Sequence, residues 1–409
     1  MIRTSPGPWL RLTALAATAA TALVVATGES ALSHGVAALV AVALLLAVAA
    51  SAWFGHRGRS GLVGAAVVAL AVFLVEVAVG GVVALTGGAA WARGLHVGLG
   101  ALSLAASAVA AALAFRAGTP APRASWRDYL TLTKPRIMVL LLLTAAGGMF
   151  VGAGGVPPSE LLAATLGGLA LACGGANALN HLLERDVDAR MRRTARRPVA
   201  AGRIPPARAL EFGVALSALS FVVLASFVNV LAALLAVAGN LFYVVVYTRL
   251  LKRSTPQNIV IGGAAGAVPP VVGWAAATGE LALPALFLFL IVFYWTPPHF
   301  WALALLIKRD YEEARIPMLP VVKGERDTAR SIFRYSLVLV AVSLLPAATR
   351  SLGPLYLASA LTLGAVFLAL AAALRREATP PRARRLFTYS LAYLALLFVA
   401  MAADPVALA

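Results

Sequence analysis

Apolar runs of roughly 18 to 25 residues, each long enough to cross a bilayer as a helix, recur along almost the whole chain and leave little else to fold. They lie near 10–27, 35–54, 62–86, 95–115, 137–155, 160–183, 208–227, 229–248, 259–278, 282–306, 332–349, 353–374 and 387–403. Inside lipid a spanning segment must satisfy its own backbone hydrogen bonds, and runs without strict alternation do so as helices. The expected fold is therefore an all-α polytopic membrane protein of about thirteen transmembrane helices. A composition 61% hydrophobic and only 12% charged leaves no room for a large soluble domain.

Charge placement excludes another class. A net charge of +18 would suit a nucleic-acid binder, but the basic residues lie between the apolar spans, so the partner is the lipid bilayer and no nucleic acid. With the N-terminus in the cytoplasm, every one of the 34 lysines and arginines except Arg93 and Arg350 falls in or beside a cytoplasmic segment. The positive-inside rule thus predicts a multi-pass protein of the cell (inner) membrane with a cytoplasmic N-terminus and an outer C-terminus. The first span, behind Arg3 and Arg11, resembles a signal peptide, but removing it would unpair the first helical hairpin, and it reads as an anchor. Cys173 is the single cysteine and sits within a span, which excludes a disulfide framework and a cysteine metal site.

Two prolines among small polar residues in 117–127 read as a linker. It divides a four-helix region, residues 1–116, from a nine-helix region, residues 128–409.

The most polar stretch at a span end is 177–198. Asn180, Glu184 and Asp188 are spaced by four and drift only about 40° per step on a helix, so they share one face. Arg193 and Arg197 follow. Oxygen donors beside arginines suit Mg²⁺ carrying a diphosphate, because the hard cation takes oxygen ligands and guanidinium grips the rest. The bland alternative is a solvated helix end. Asp188 itself is expected at a hydrated helix end, so deleting its charge should cost folding little.

The other polar features of the second region also fall on the cytoplasmic side. Lys134 and Arg136 flank Pro135, which presets a helix start. A basic loop carries Lys252 and Arg253. The glycines and the Pro-Pro pair of 262–274 should break a helix, which is tolerated where it lines a cavity. His299 lies between Pro298 and Phe300 in an aromatic span. Asp310 and Glu313 form a second acidic group one turn apart. Two acidic groups, basic loops and an aromatic apolar pocket are what ionisation of an allylic diphosphate requires: cations neutralise the leaving group, and aromatic walls shield a carbocation.

The ordered set Thr-Lys-Pro-Arg (133–136), Asn-x₃-Glu-x₃-Asp (180–188), Thr-Pro-Gln-Asn-Ile-Val-Ile-Gly-Gly (255–263), Pro-Pro-His-Phe-Trp-Ala-Leu-Ala (297–304) and Pro-Met-Leu-Pro-Val-Val (317–322) resembles the UbiA-type membrane prenyltransferase superfamily, which includes ubiquinone-pathway enzymes. Within it the set is similar to the haem-farnesylating branch, over about residues 126–403. The resemblance implies nine helices around a central cavity and transfer of the farnesyl group of farnesyl diphosphate to a vinyl group of protohaem IX (haem b), with water, to give haem O. Asn180, Glu184, Asp188 and Asp310, with Glu313, would hold Mg²⁺-diphosphate. Lys134, Arg136, Arg193, Arg197, Lys252 and Arg253 would meet diphosphate or haem propionates. His299 would ligate or orient the haem, or else be a structural histidine bonded to a broken helix backbone. Glu184 stands where many of the superfamily have Asp, and both carboxylates bind Mg²⁺.

In the first region two histidines, His34 and His96, start two parallel spans at the same outer depth. Two imidazoles facing across a four-helix bundle can ligate one haem iron; ordinary interfacial histidine is the alternative. Residues 73–87 and 95–102 resemble half of a haem A synthase, which implies a haem between His34 and His96 and, as partners, haem A synthase or oxidase assembly factors. Ala31 stands where the oxidising half of that family would carry Glu, so haem binding without haem oxidation is expected. The readings left open are a prenyltransferase acting on a quinone-precursor ring, a transporter, and a non-catalytic haem-binding assembly protein.

Overall fold

The computed structural model describes residues 8–26, 31–55, 60–85, 90–114 and 124–408; within them the side chains of residues 8–9, 25–26, 31–36 (His34 among them), 54–55, 60, 84–85, 90–91 and 408 lie outside the described residues. Every described element is helical, as the apolar runs require. Four long helices come first: α1 (Pro8–Ala26), α2 (Ala31–Gly55), α3 (Ser60–Leu85) and α4 (Ala90–Ala114). After the short α5 (Trp126–Thr133) follow α6 (Pro135–Ala153), α7 (Ser159–Leu183), α8 (Arg185–Asp188), α9 (Pro206–Phe227) and α10 (Val230–Leu241). The last of these runs on as a π-helix over Phe242–Leu251. The chain continues with α11 (Asn258–Gly266), α12 (Val268–Thr278), α13 (Leu283–Leu306), α14 (Lys308–Glu313), α15 (Leu319–Val322), α16 (Gly324–Ala348), α17 (Pro354–Arg376) and α18 (Pro380–Leu408).

Among the described residues eleven helices are long and apolar enough to cross a membrane, and two shorter apolar ones, Leu10–Val24 and Ala37–Trp53, occupy the places of the first two expected spans. The expected break between 262 and 274 is present: α11 stops at Gly266, and Pro269 and Pro270 sit in the first turn of α12, where a missing N–H costs nothing. Pro297 and Pro298 behave differently, since α13 runs unbroken past them from Leu283 to Leu306.

Glycine decides how closely the membrane helices approach. A Cβ on Gly148 would lie 2.2 Å from the Pro270 carbonyl oxygen, and one on Gly273 2.0 Å from that of Ala145, so α6 and α12 cross backbone to backbone. That is the small-residue packing expected where lipid supplies no hydrophobic drive between helices. α9 is held on both sides in the same way. Gly175 of α7 meets Ser217 and Gly213 of α9, while Gly94 and Gly98 of α4 meet the Ala225 and Val222 backbone of α9. The first four helices therefore dock on α9, one helix away from the interior of the second region.

That interior is a cavity of about 510 Å³ walled by α6, α7, α10 with its π-helical extension, α11, α12, α13, α14 and α18. Among the described residues α9, α16 and α17 contribute none to the wall.

Candidate functional site

The polar mouth of the cavity is organised by Lys134. This residue ends α5 and precedes α6 with φ 53° and ψ 57°, a left-handed conformation costing of order 1–3 kcal/mol for a residue with a side chain. Pro135 disfavours the right-handed helical conformation at its predecessor, so the chain turns at Lys134. The turn carries the ammonium to α7: Lys134 Nζ donates to Asn180 Oδ1 at 2.7 Å. Asn180 Nδ2 donates to Thr248 Oγ1 at 3.1 Å, and the Thr248 hydroxyl donates to the Tyr243 carbonyl at 2.9 Å. One hydrogen-bonded chain thus ties α6, α7 and the π-helix together.

The spacing-by-four logic survives the end of α7. Glu184 N–H donates to the Asn180 carbonyl at 2.9 Å, and Asp188 N–H to that of Glu184 at 2.7 Å, although Glu184 is formally the residue between α7 and α8. Glu184 is 2% exposed and paired with Lys252. Burial pushes the Glu184 carboxyl up, but the Lys252 ammonium, with Lys134 and Arg197, outweighs it and holds the group below the usual carboxylate range. Lys252 is shifted up against the opposing effect of its own burial, chiefly by Glu184. Lys134 pairs with no carboxylate among the described residues. Burial and the nearby Arg197 push it down to about 7, with Lys252 adding to the shift and Glu184 and Asp188 opposing it.

Asp188 corrects the expectation of a hydrated helix end. It is 2% exposed. Arg197 Nη1 donates to its two carboxylate oxygens at 2.8 and 2.9 Å, and Thr194 Oγ1 caps its carbonyl at 3.0 Å. Arg197 lines the cavity whereas Asp188 stands behind it.

Of the other predicted residues, Arg136, Arg193, Lys252 and His299 also line the cavity. Arg253 does not: it donates to both Asp186 oxygens at 2.7 Å and to the Leu183 carbonyl at 3.0 Å. Asp310 and Glu313 are also off the wall. The buried residue of α14 is Tyr311, which faces the cavity. Glu313 follows it by two residues, about 200° around the helix, and is exposed. Among the described residues no three His, Cys, Asp or Glu side chains converge on one point. The donor set still suits a hard cation, because Asn180, Glu184 and Asp188 offer buried oxygens. Each is bonded to a Lys or Arg that an arriving anion would attract instead.

Sequence reasoning missed Tyr243, Tyr247, Thr248 and Tyr311. The four-residue step from Tyr243 to Tyr247 beside a basic loop was a usable signal. The π-helix was not, and it is what brings both rings inward, stacked at 5.6 Å. An ideal Cβ on Gly262 would lie 2.2 Å from the Tyr247 ring, so this glycine is what lets the ring pack on α11.

Below the mouth the cavity becomes apolar. From Asn180 down to Leu169, both wall residues of α7, the helix spans roughly 16 Å. Opposite stand Val292, Trp295, Phe300 and Leu394. His299 is stacked between Trp295 (4.3 Å) and Phe387 (4.8 Å). Its Nδ1 lies 2.7 Å from Ser390 Oγ of α18, so it is not bonded to the backbone of its own helix.

In the first four helices His96 lies against Gly80, where a Cβ would be 3.0 Å from its ring, and its Nδ1 is 3.2 Å from the Glu76 carbonyl oxygen. Glu76, not singled out from the sequence, is 3% exposed midway along α3, and its Oε2 has no partner among the described residues. An ionisable residue facing a bundle interior marks a functional candidate. The pairing of His96 with His34 lies outside the described residues.

A helical membrane fold closed around a cavity that is basic at its mouth and aromatic in its depth defines the class of intramembrane prenyltransferases. Residues 141–399 match the model of the UbiA prenyltransferase family, and the chain belongs to that family. A protoheme IX farnesyltransferase of Symbiobacterium thermophilum is 55% identical over 280 residues, covering 68% of this chain and 94% of the relative. Another from Roseiflexus sp. is 45% identical over 415 residues, covering 94% of this chain and 77% of the relative. Among solved structures, a digeranylgeranylglyceryl phosphate synthase superposes with a TM-score of 0.59 at 18% identity, over 69% of this chain and 98% of its own. A UbiA homolog from Archaeoglobus fulgidus bound to DMAPP and Mg²⁺ superposes with a TM-score of 0.50 at 19% identity, over 69% of this chain and all of its own (100%).

Proposed function

We infer that this protein transfers the farnesyl group of farnesyl diphosphate to a vinyl group of protohaem IX, giving haem O. The observation that carries this reading is the 55% identity extending over 94% of a protoheme IX farnesyltransferase. The cavity supports it with an anion-binding mouth over an apolar, aromatic depth. Lys134, Arg136, Arg193, Arg197 and Lys252 take the diphosphate and the haem propionates. Asn180, Glu184 and Asp188 are the donors that would hold Mg²⁺, which supplies charge neutralisation for the leaving diphosphate; Asp310 and Glu313 join them only if α14 turns. The C–O bond of the allylic diphosphate breaks with its electron pair leaving on the phosphate oxygen. Tyr243, Tyr247 and Trp295 face the allylic cation, whose charge aromatic faces stabilise. The vinyl π electrons close the new C–C bond, and water captures the resulting benzylic-type cation, releasing one proton. The apolar depth holds the farnesyl chain and keeps other water out.

The mouth is cytoplasmic in this reading, in a cell inner membrane. Residues 1–116 form a separate four-helix unit resembling half of a haem A synthase, and His34 and His96 bind a haem on the outer side. The Roseiflexus relative is similar over 94% of this chain, so a counterpart of most of this unit recurs there. Haem A synthase or oxidase assembly factors are the partners such a unit would meet. The test of the main reading is purified protein with Mg²⁺, farnesyl diphosphate and protohaem IX, followed by mass spectrometry of the haem. The expected product is haem bearing one farnesyl group and one added water. A product formed only with quinone-precursor rings, or none at all, overturns it.

A further inference from the structure

The pair His299 and Ser390 carries information that the position of His299 alone does not. Ser390 Oγ lies 2.7 Å from the Phe387 carbonyl oxygen and 2.7 Å from His299 Nδ1. Two oxygens so close require a hydrogen between them, and a carbonyl has none, so the single serine proton points to Phe387. The contact to Nδ1 needs a hydrogen too, and only the imidazole is left to supply it. His299 is thereby held as the Nδ1–H tautomer, with the lone pair on Nε2. The ring cannot easily rotate to exchange its nitrogens, since Trp295 and Phe387 stack on it with interplanar angles of 16° and 25°. Trp295 is itself tied to the same residue, its indole N–H donating to the Ser390 carbonyl at 2.7 Å. Nε2 has no partner among the described residues, and His299 borders the cavity.

We propose that His299 Nε2 is an axial ligand for the iron of the porphyrin substrate, and that Ser390 is the positioning residue that prepares it. The proposal rests on the haem-farnesylating reading of the cavity. An imidazole that ligates a metal characteristically donates its other N–H to an oxygen acceptor, which fixes the tautomer and raises ligand basicity; here that acceptor is in place before any substrate arrives. Ligation at one point would also orient the macrocycle. The iron is fixed in the aromatic depth while the propionates are free to reach the cations of the mouth.

The test uses the full chain carrying His34→Ala and His96→Ala, so that the first four helices offer no competing imidazole pair. Ferric protohaem IX is titrated into it, and optical and electron paramagnetic resonance spectra are recorded. The expected result is a histidine-ligated spectrum that His299→Ala abolishes and added imidazole restores. Ser390→Ala should weaken haem binding by about 10- to 100-fold, the usual loss when the partner of a ligating histidine is removed, and Ser390→Thr should recover most of it. An unchanged spectrum in His299→Ala, or unchanged affinity in Ser390→Ala, overturns the proposal. If Ser390→Ala fails to fold, the His299→Ala spectrum with and without imidazole decides alone. Farnesyl transfer by the parent chain is assayed in parallel. Product formation with no histidine signature sinks this inference and leaves the proposed function standing; absence of any farnesylated haem sinks the proposed function.

Discussion

Lys134 makes a prediction that separates diphosphate binding from mere positive charge. In the empty site its pKa is pushed down to about 7, and a bound diphosphate would restore a value nearer the ordinary 10.4, because an anion against the ammonium favours the charged form. Binding then takes up a proton at Lys134 whenever the pH exceeds about 7. The sign follows: affinity is full below that value and is lost as the pH rises through it. With the bound state charged throughout, the apparent dissociation constant scales as one plus ten to the power of the difference between the pH and 7. From pH 6 to pH 8 this is about a tenfold loss, equivalent to about 1.4 kcal/mol. Ionisation of the ligand also varies with pH, so the control is Lys134→Arg, a side chain charged at all these values. The assay is calorimetric binding of a non-hydrolysable farnesyl diphosphate analogue with Mg²⁺, in buffers of different ionisation enthalpy to count protons. The wild type should lose about tenfold more affinity than Lys134→Arg across the window and should take up close to one more proton at pH 8. Equal slopes would mean that Lys134 is already charged in the empty site, or does not meet the anion, and the reasoning fails.

Three further outcomes are expected. Asp188→Ala should abolish farnesyl transfer and also destabilise the protein by about 3 kcal/mol, toward the lower end for breaking a buried pair because the Arg197 side chain keeps 21% exposure; wild-type thermal unfolding in the mutant would contradict the buried geometry, and wild-type turnover the proposed role. Gly262→Leu should cost about 1–3 kcal/mol through overpacking against Tyr247 and lower turnover by displacing that ring, and unchanged activity together with unchanged unfolding would show that the close approach has no consequence. In the full chain, His96→Ala should convert a low-spin six-coordinate haem signal into one with an open position, whereas failure of the wild type and His299→Ala alike to show any such signal would return His34 and His96 to ordinary interfacial histidines.

The residues legible from sequence share a property: their meaning is local. Runs of apolar side chains require helices in lipid whatever surrounds them, so the all-helical architecture follows from composition and run length. Asn180, Glu184 and Asp188 stay linked by four-residue backbone bonds even where α7 ends. The Pro-Pro pair at 269 and 270 starts a helix because its effect acts on its own backbone. Pro297 and Pro298 show the limit of such reasoning, since α13 holds its course past them, packed against α16 and α18.

What the tertiary structure alone decided is which side chains meet. Asp188 reads as a hydrated carboxylate until Arg197, nine residues on, is folded over it. Arg253 and Lys252 are neighbours in sequence, yet the first is taken by Asp186 outside the cavity and the second by Glu184 within it. Asp310 and Glu313 have the right chemistry, but α14 brings Tyr311 to the cavity, and neither carboxylate is among the wall residues. The lone pair of His299 is aimed by a serine 91 residues further along, and no periodicity encodes that distance. Helix formation is set by backbone satisfaction within a segment, whereas a site is set by the rotation of each helix about its axis. That rotation is fixed only when small residues such as Gly148, Gly262 and Gly273 let their neighbours close in.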